Sequence, residues 1–313
     1  MRVAAIDIGT NTVLLLIAEM SPVGELVALA DEARITRLGQ GVDRSRKLAP
    51  EAVERTLACI SDYAAEITRY GVDAVAAVGT SAMRDAAGAA GENNNFLARA
   101  AEILGVEPRV VSGDIEADLA FSGGLLGLGL SGPVIAFDVG GGSSELIVGV
   151  AGPGVATVER RRSLDVGSVR LFERHVRSDP PSAFEMSNVS AFALDQLLAV
   201  PPPPPGRPLI GMAGTVTTLA AIARRIDPYD PERIHGMRLR ADEITELGRR
   251  LMEMPLAHRV ELPGLEPKRA DVIPVGAAIV SAIVAWAKAP QIVVSDRGVR
   301  WGLALRLCQG SWI

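Results

Sequence analysis

Cysteine, histidine and strong positive charge are all scarce in this 313-residue chain, and each scarcity closes a class of function. The two cysteines, Cys59 and Cys308, stand alone in apolar helical patterns, which excludes a disulfide framework or thiolate metal site and points to a reducing cytoplasm. His175, His235 and His258 lack metal-ligand spacing. No GxxxxGKS or GxxxxGKT phosphate loop and no GxSxG nucleophile elbow occurs. The GxGxxG string from Gly127 to Gly132 follows a helical pattern and precedes a strand, the reverse of a dinucleotide site. A net charge of -5 argues against a nucleic-acid partner. The longest apolar run, Val272 to Ala287, contains Pro274 and Gly276 and falls short of the roughly 20 residues of a bilayer span, so a buried helix and no membrane partner are expected. Met1 leads almost directly into the first apolar segment, leaving no room for a signal peptide.

What the chain does have is a motif that occurs twice. AAIDIGTNTVLLLI at the start and VIAFDVGGGSSELIV near the middle each run from an apolar strand into an Asp, turn through glycines and hydroxyl residues, and resume as a second strand. Glycines let a backbone approach a polyanion, turn N–H groups donate to phosphate oxygens, and a strand-end carboxylate can hold a cation. The first turn offers Asp7, Gly9, Thr10, Asn11 and Thr12, and the second offers Asp138, Gly140, Gly141, Gly142 and Ser143. An ordinary hairpin turn explains the first as well, but three consecutive glycines in the second cost chain entropy that a simple hairpin need not spend.

The surroundings of the motif repeat too. Strands at about 2–8, 12–19 and 25–31 are followed by helix Pro50–Arg69, strand Ala74–Val78, a turn over Thr80–Ala86, a helix near Phe96–Leu104, strand Arg109–Val111 and a helix from Ile115. Strands at about 133–138, 143–150 and 155–162 begin a second round, with helices after Val166 and Ser182, strand Leu209–Met212, helices from Thr215 and Asp242, and strand Gln291–Val294. The expected boundary lies near Gly129–Pro133, and Pro201 to Pro205 reads as a stiff surface loop.

Further candidates carry two readings each. Glu145 stands seven positions after Asp138 on the returning strand, either sharing a Mg²⁺ site with it or facing solvent. Arg84 in TSAMRDA is a phosphate fork or a surface salt bridge. Asp114 and Glu116 in SGDIEAD enter a first helical turn, where capping alone favours acids. Gly214 and Thr215 in GMAGTVT mark an anion-binding helix start or a close helix–strand contact.

Taken in order, DIGTNT from Asp7, RLGQGVD from Arg37, TSAMRDA, SGDIEA, DVGGGSSE, LDVGS from Leu164, GMAGTVTTLA, RADVIPVGAAI from Arg269 and SDRGVRWGL from Ser295 make the chain resemble the exopolyphosphatase and guanosine pentaphosphate phosphohydrolase family. That family belongs to the actin-like, sugar kinase and Hsp70 superfamily. The resemblance implies an α/β fold of two ribonuclease H-like lobes, 1–129 and 130–313, with an active-site cleft between them. It implies Glu116 as the catalytic carboxylate, with Ile115 where the family usually has a second Glu. Asp138 and Glu145 would hold Mg²⁺. Asp7, Gly9, Thr10, Asn11, Thr12, Arg84, Gly140, Gly141, Gly142, Ser143, Gly214 and Thr215 would bind phosphate. The implied activity is removal of terminal phosphate from inorganic polyphosphate, with short to medium chains preferred because the chain resembles the family's short form. A homodimer is one implied arrangement. Guanosine pentaphosphate is the rival substrate, and a small-molecule kinase or a nucleotide-binding sensor of the same fold are the more distant alternatives.

Overall fold

The computed structural model describes residues 1–86, 92–152 and 156–312, and the chain forms two compact units, Met1–Gly123 with Val299–Ile313 and Gly124–Gly298. In the first unit an antiparallel meander of β1 (Arg2–Ile8), β2 (Thr12–Met20) and β3 (Leu26–Ile35) is followed by α1 (Val42–Ser45) and α2 (Pro50–Tyr70). There follow β4 (Ala74–Gly79), α3 (Ser81–Ala86), α4 (Glu92–Leu104), β5 (Arg109–Val110) and α5 (Gly113–Gly124). The sheet order is β3-β2-β1-β4-β5, with β1, β4 and β5 parallel. The amphipathic pattern of α2 buries Leu57, Ile60 and Ile67 in a core with Ile6, Leu15 and Phe96.

The second unit begins with β6 (Gly132–Val139), β7 (Ser144–Ala151) and β8 (Thr157–Leu164), followed by α6 (Ser168–His175) and α7 (Ala183–Leu198). Residue 155, where the sequence pattern starts the third strand, lies outside the described residues. Then come β9 (Leu209–Met212), α8 (Ala213–Arg224), α9 (Pro231–Ile234), β10 (Arg238–Arg240), α10 (Ala241–Glu253), α11 (Leu256–Arg259), α12 (Ile273–Trp286) and β11 (Gln291–Val294). Read from β8, the sheet runs β8-β7-β6-β9-β11, the same order as in the first unit, with β10 added as an antiparallel edge. The expected α/β class with two ribonuclease H-like units is what these sheets form. Even an irregularity is repeated: the register shifts at Ile17/Ala18 and at Val148/Gly149, each ten positions after the strand-end Asp. The apolar run from Val272 is the buried helix α12, and no helix among the described residues is long and apolar enough to cross a membrane.

Two expectations need correction. The segment TSAMRDA is not a bare turn, since Ser81–Ala86 close a short helix. More consequentially, the division at 129/130 fails at both ends, because α5 ends the first stretch at Gly123/Gly124 and α13 (Val299–Cys308) returns to the first unit. Arg300 forks the Asp31 carboxylate at 2.6 and 3.0 Å, and Trp301 Nε1 donates to the same group at 3.1 Å. Gly302 lets α13 pack closely on α5, as a Cβ there would stand 2.1 Å from the Leu119 carbonyl oxygen.

Candidate active site

At the carboxyl edge of the first sheet, β1 ends just past Asp7, which is in register with Val78 on β4, itself in register with Arg109 on β5. This is the edge where the loops of an open α/β sheet converge on ligands. Helix α3 after β4 brings Arg84 and the first turn of α5 after β5 brings Glu116, and Arg84 Nη1 donates to Glu116 Oε2 at 2.6 Å and to the Val111 carbonyl at 3.0 Å. Of the two readings of Arg84 the ion pair is what forms, and its partner is the candidate base. Glu116 is only 8% exposed. Burial pushes its carboxyl above the usual range, and the charge and hydrogen bond of Arg84 pull it part of the way back. A raised carboxylate accepts a proton more readily near neutral pH than an exposed one. The cap of α5 is Ser112, whose Oγ accepts the Ile115 N–H at 3.3 Å, so this N-terminal hydrogen bond does not come from the acids.

The two glycine turns share one construction. Gly9 N–H donates to the Thr12 carbonyl and Gly140 N–H to the Ser143 carbonyl, both at 3.0 Å. In the first turn the Thr10 carbonyl accepts from Gly39 N–H at 2.8 Å, and the Asn11 carbonyl accepts from Thr36 and Arg37 N–H at 3.1 and 3.0 Å. In the second, the Gly140 carbonyl accepts from Ser168 N–H, the Gly141 carbonyl from Val169 and Arg170 N–H, and the Gly142 carbonyl from Arg170 Nε at 2.6 Å. These peptides are trans, so each N–H points opposite to the preceding carbonyl. The N–H groups of Asn11 and Thr12 thus point away from segment 36–39, and those of Gly141, Gly142 and Ser143 away from α6. Successive amides aimed one way make an anion-accepting nest. Its support is tight, because a Cβ on Gly167 would lie 2.3–2.5 Å from backbone atoms of Gly141 and Gly142. Gly167→Ala is expected to push the turn aside, lowering any turnover at this site about 100-fold, as a displacement near 1 Å can, and destabilising the fold by about 1–3 kcal/mol. Steady-state kinetics and thermal melting check it; unchanged kinetics would mean the turn tolerates displacement.

Asp138 and Glu145 are direct cross-strand partners of β6 and β7, which puts both side chains on one face with Cβ atoms about 5 Å apart. The solvated reading of Glu145 is overturned, since it is 1% exposed. Its Oε1 accepts from Ser143 Oγ at 2.9 Å and from Ser163 Oγ at 2.8 Å, Ser163 lying opposite it on β8. No group of three or more His, Cys, Asp or Glu among the described residues is placed to hold a metal ion. Asp138 and Glu145 are the residues that would hold Mg²⁺, an ion that needs few carboxylates when phosphate oxygens and water supply its other ligands.

Thr215 Oγ1 donates to the Val139 carbonyl at 2.9 Å, tying α8 to the strand that carries Asp138. Gly214 meets the Arg269 guanidinium, whose atoms would lie 2.4–2.6 Å from a Cβ at that position. The structure thus assembles Arg84 with Glu116, and Asp138, Glu145, the glycine turn and Thr215 as a second group. Sequence reasoning assigned no role to Ser163, Arg170 or Arg269. Strand register alone would have found Ser163, and the equivalence of segment 36–39 with residues 168–170 was the available signal for Arg170.

A model of the Ppx/GppA phosphatase family matches residues 16–310. Exopolyphosphatase 2 of Mycobacterium tuberculosis is 38% identical over 322 aligned positions that cover 98% of each chain. A crystal structure of the Aquifex aeolicus member of the Ppx/GppA family superposes with a TM-score of 0.82 at 32% identity, covering 99% of this chain and 98% of that one. An exopolyphosphatase from Cytophaga hutchinsonii, 24% identical, has the same fold, with a TM-score of 0.87 and coverage of 100% and 99%.

Proposed function

The chain belongs to the Ppx/GppA phosphatase family, and from this premise we propose that it is an exopolyphosphatase, a hydrolase that cleaves the terminal phosphoanhydride bond of inorganic polyphosphate and releases orthophosphate. The observation that carries the reading is the peptide orientation of the 140–143 turn, three amides aimed away from α6 beside a paired carboxylate. Such a cradle recognises phosphate oxygens and asks nothing of a base or sugar. Phosphoryl transfer depends chiefly on in-line positioning and charge neutralisation. In the second unit the amides of 141–143 bind phosphate oxygens, and Asp138 and Glu145 would hold Mg²⁺, which would supply neutralisation of phosphate charge. In the first unit Glu116 orients the attacking water and takes its proton, while Arg84 fixes the carboxylate. Two unbridged thiols support work in the cytoplasm.

Phosphate release measured over polyphosphates of graded length, guanosine pentaphosphate and ATP tests the reading. Release from polyphosphate without nucleotide is expected; turnover of guanosine pentaphosphate alone would transfer the assignment to that substrate.

The ionisation of Glu116 makes a second, independent check. As the base it must be deprotonated, so activity falls as pH drops through its pKa, and the acid limb of kcat/KM is expected above the ordinary glutamate range. Arg84 lowers that pKa, so Arg84→Met should move the limb to still higher pH, whatever it does to the maximum. A limb that stays in place would mean that another group sets it.

A further inference from the structure

The last carbonyl of the 140–142 turn is held by a side chain where the first unit uses backbone. Gly142 stands four residues after Asp138 as Asn11 stands four after Asp7. The Asn11 carbonyl accepts from two backbone N–H groups, those of Thr36 and Arg37. In the second unit the first amides of α6 are engaged with Gly140 and Gly141, and Gly142 is reached by Arg170 Nε at 2.6 Å. Arg170 is 3% exposed, and Asp165, 3.7 Å from its Nη2, is largely solvated and a weak counter-charge. A guanidinium is costly to desolvate unless its hydrogen bonds are made, and the bond to the Gly142 carbonyl is one that is made here.

We propose that Arg170 is a positioning residue for the phosphate cradle: by gripping the Gly142 carbonyl it fixes the Gly142–Ser143 peptide plane and keeps the Ser143 N–H turned toward the substrate. Gly141 and Gly142 have no side chain to oppose rotation of that plane. A rotated plane removes one donor and presents a carbonyl oxygen to the anion, a double loss at a site that works by preorganised donors. Arg170 itself lies behind the turn and does not touch substrate. Val169, its neighbour on α6, uses its backbone N–H on the Gly141 carbonyl, so a change to its side chain leaves this grip intact, whereas Ser168 Oγ also donates to the Gly140 carbonyl at 3.3 Å.

The inference rests on reading the turn as a phosphate cradle, and its test separates the two. Arg170→Met and Arg170→Lys are expected to lower kcat/KM for polyphosphate roughly 10- to 100-fold. In the wild-type protein the Ser143 amide resonance should shift on titration with orthophosphate, and that shift should be largely lost in Arg170→Met. Kinetics within twofold of wild type in both variants, or an undiminished Ser143 shift, would overturn the role of Arg170. Should Arg170→Met fail to fold, Arg170→Lys decides by the same two readouts, because it keeps the charge and loses the planar fork. Wild-type protein that releases no phosphate from polyphosphate would instead sink the functional reading, and the Ser143 titration would still judge Arg170.

Discussion

Glu116→Gln is expected to lower turnover by roughly two to four orders of magnitude while leaving polyphosphate binding near wild type. The substitution keeps the size of the side chain and an oxygen that can accept from Arg84, so the 2.6 Å contact has a replacement and the first turn of α5 is undisturbed. What it removes is the ability to take a proton. The carboxyl of Glu116 is held above its usual range by burial, which makes it a better base than a solvated glutamate. Single-turnover phosphate release and a binding assay in parallel check the split between kcat and affinity, with thermal melting to establish that the fold is retained. Near-wild-type turnover would remove Glu116 from the mechanism.

Chelation is expected to abolish activity and Mg²⁺ to restore it, and Asp138→Asn should raise the Mg²⁺ concentration needed while cutting turnover about 100-fold or more. Asp138 and Glu145 face the same side of the β6–β7 pair, and the terminal phosphates carry more charge than nearby backbone amides can neutralise. Two carboxylates become one carboxylate and one neutral amide in the variant. Glu145 is further held by two serine hydroxyls, so its orientation should survive the change at Asp138. Mg²⁺ titrations of both proteins on one substrate check this. Full activity in chelator, or an identical Mg²⁺ dependence in the variant, would contradict the assignment.

Much of the candidate site was legible because its signals are local. A glycine-rich turn between two apolar strands can be recognised without knowing what lies across from it, since strand period and turn chemistry act over a few residues. The same holds for the duplicated meander, for α2 and α12, and for the placement of Arg84 and Glu116 just after strands. The face on which Glu145 sits was not legible, because a shift of one residue in strand register reverses it. Once β6 and β7 pair as they do, Asp138 and Glu145 must share a side.

Sequence by itself determined the α/β class, the two related units and the residue types of the two glycine turns, all of which follow from backbone periodicity and from where glycine and small polar residues fall. Tertiary structure decided the rest. Arg84 meets Glu116 across 32 positions, Ser163 meets Glu145 across 18, and Arg170 reaches Gly142 across 28. Arg300 closes on Asp31 across 269, which carries α13 back to the first unit and overturns the division expected at 129/130. No local preference encodes such pairs: they form because packing brings distant polar groups together out of water, where each then requires a partner.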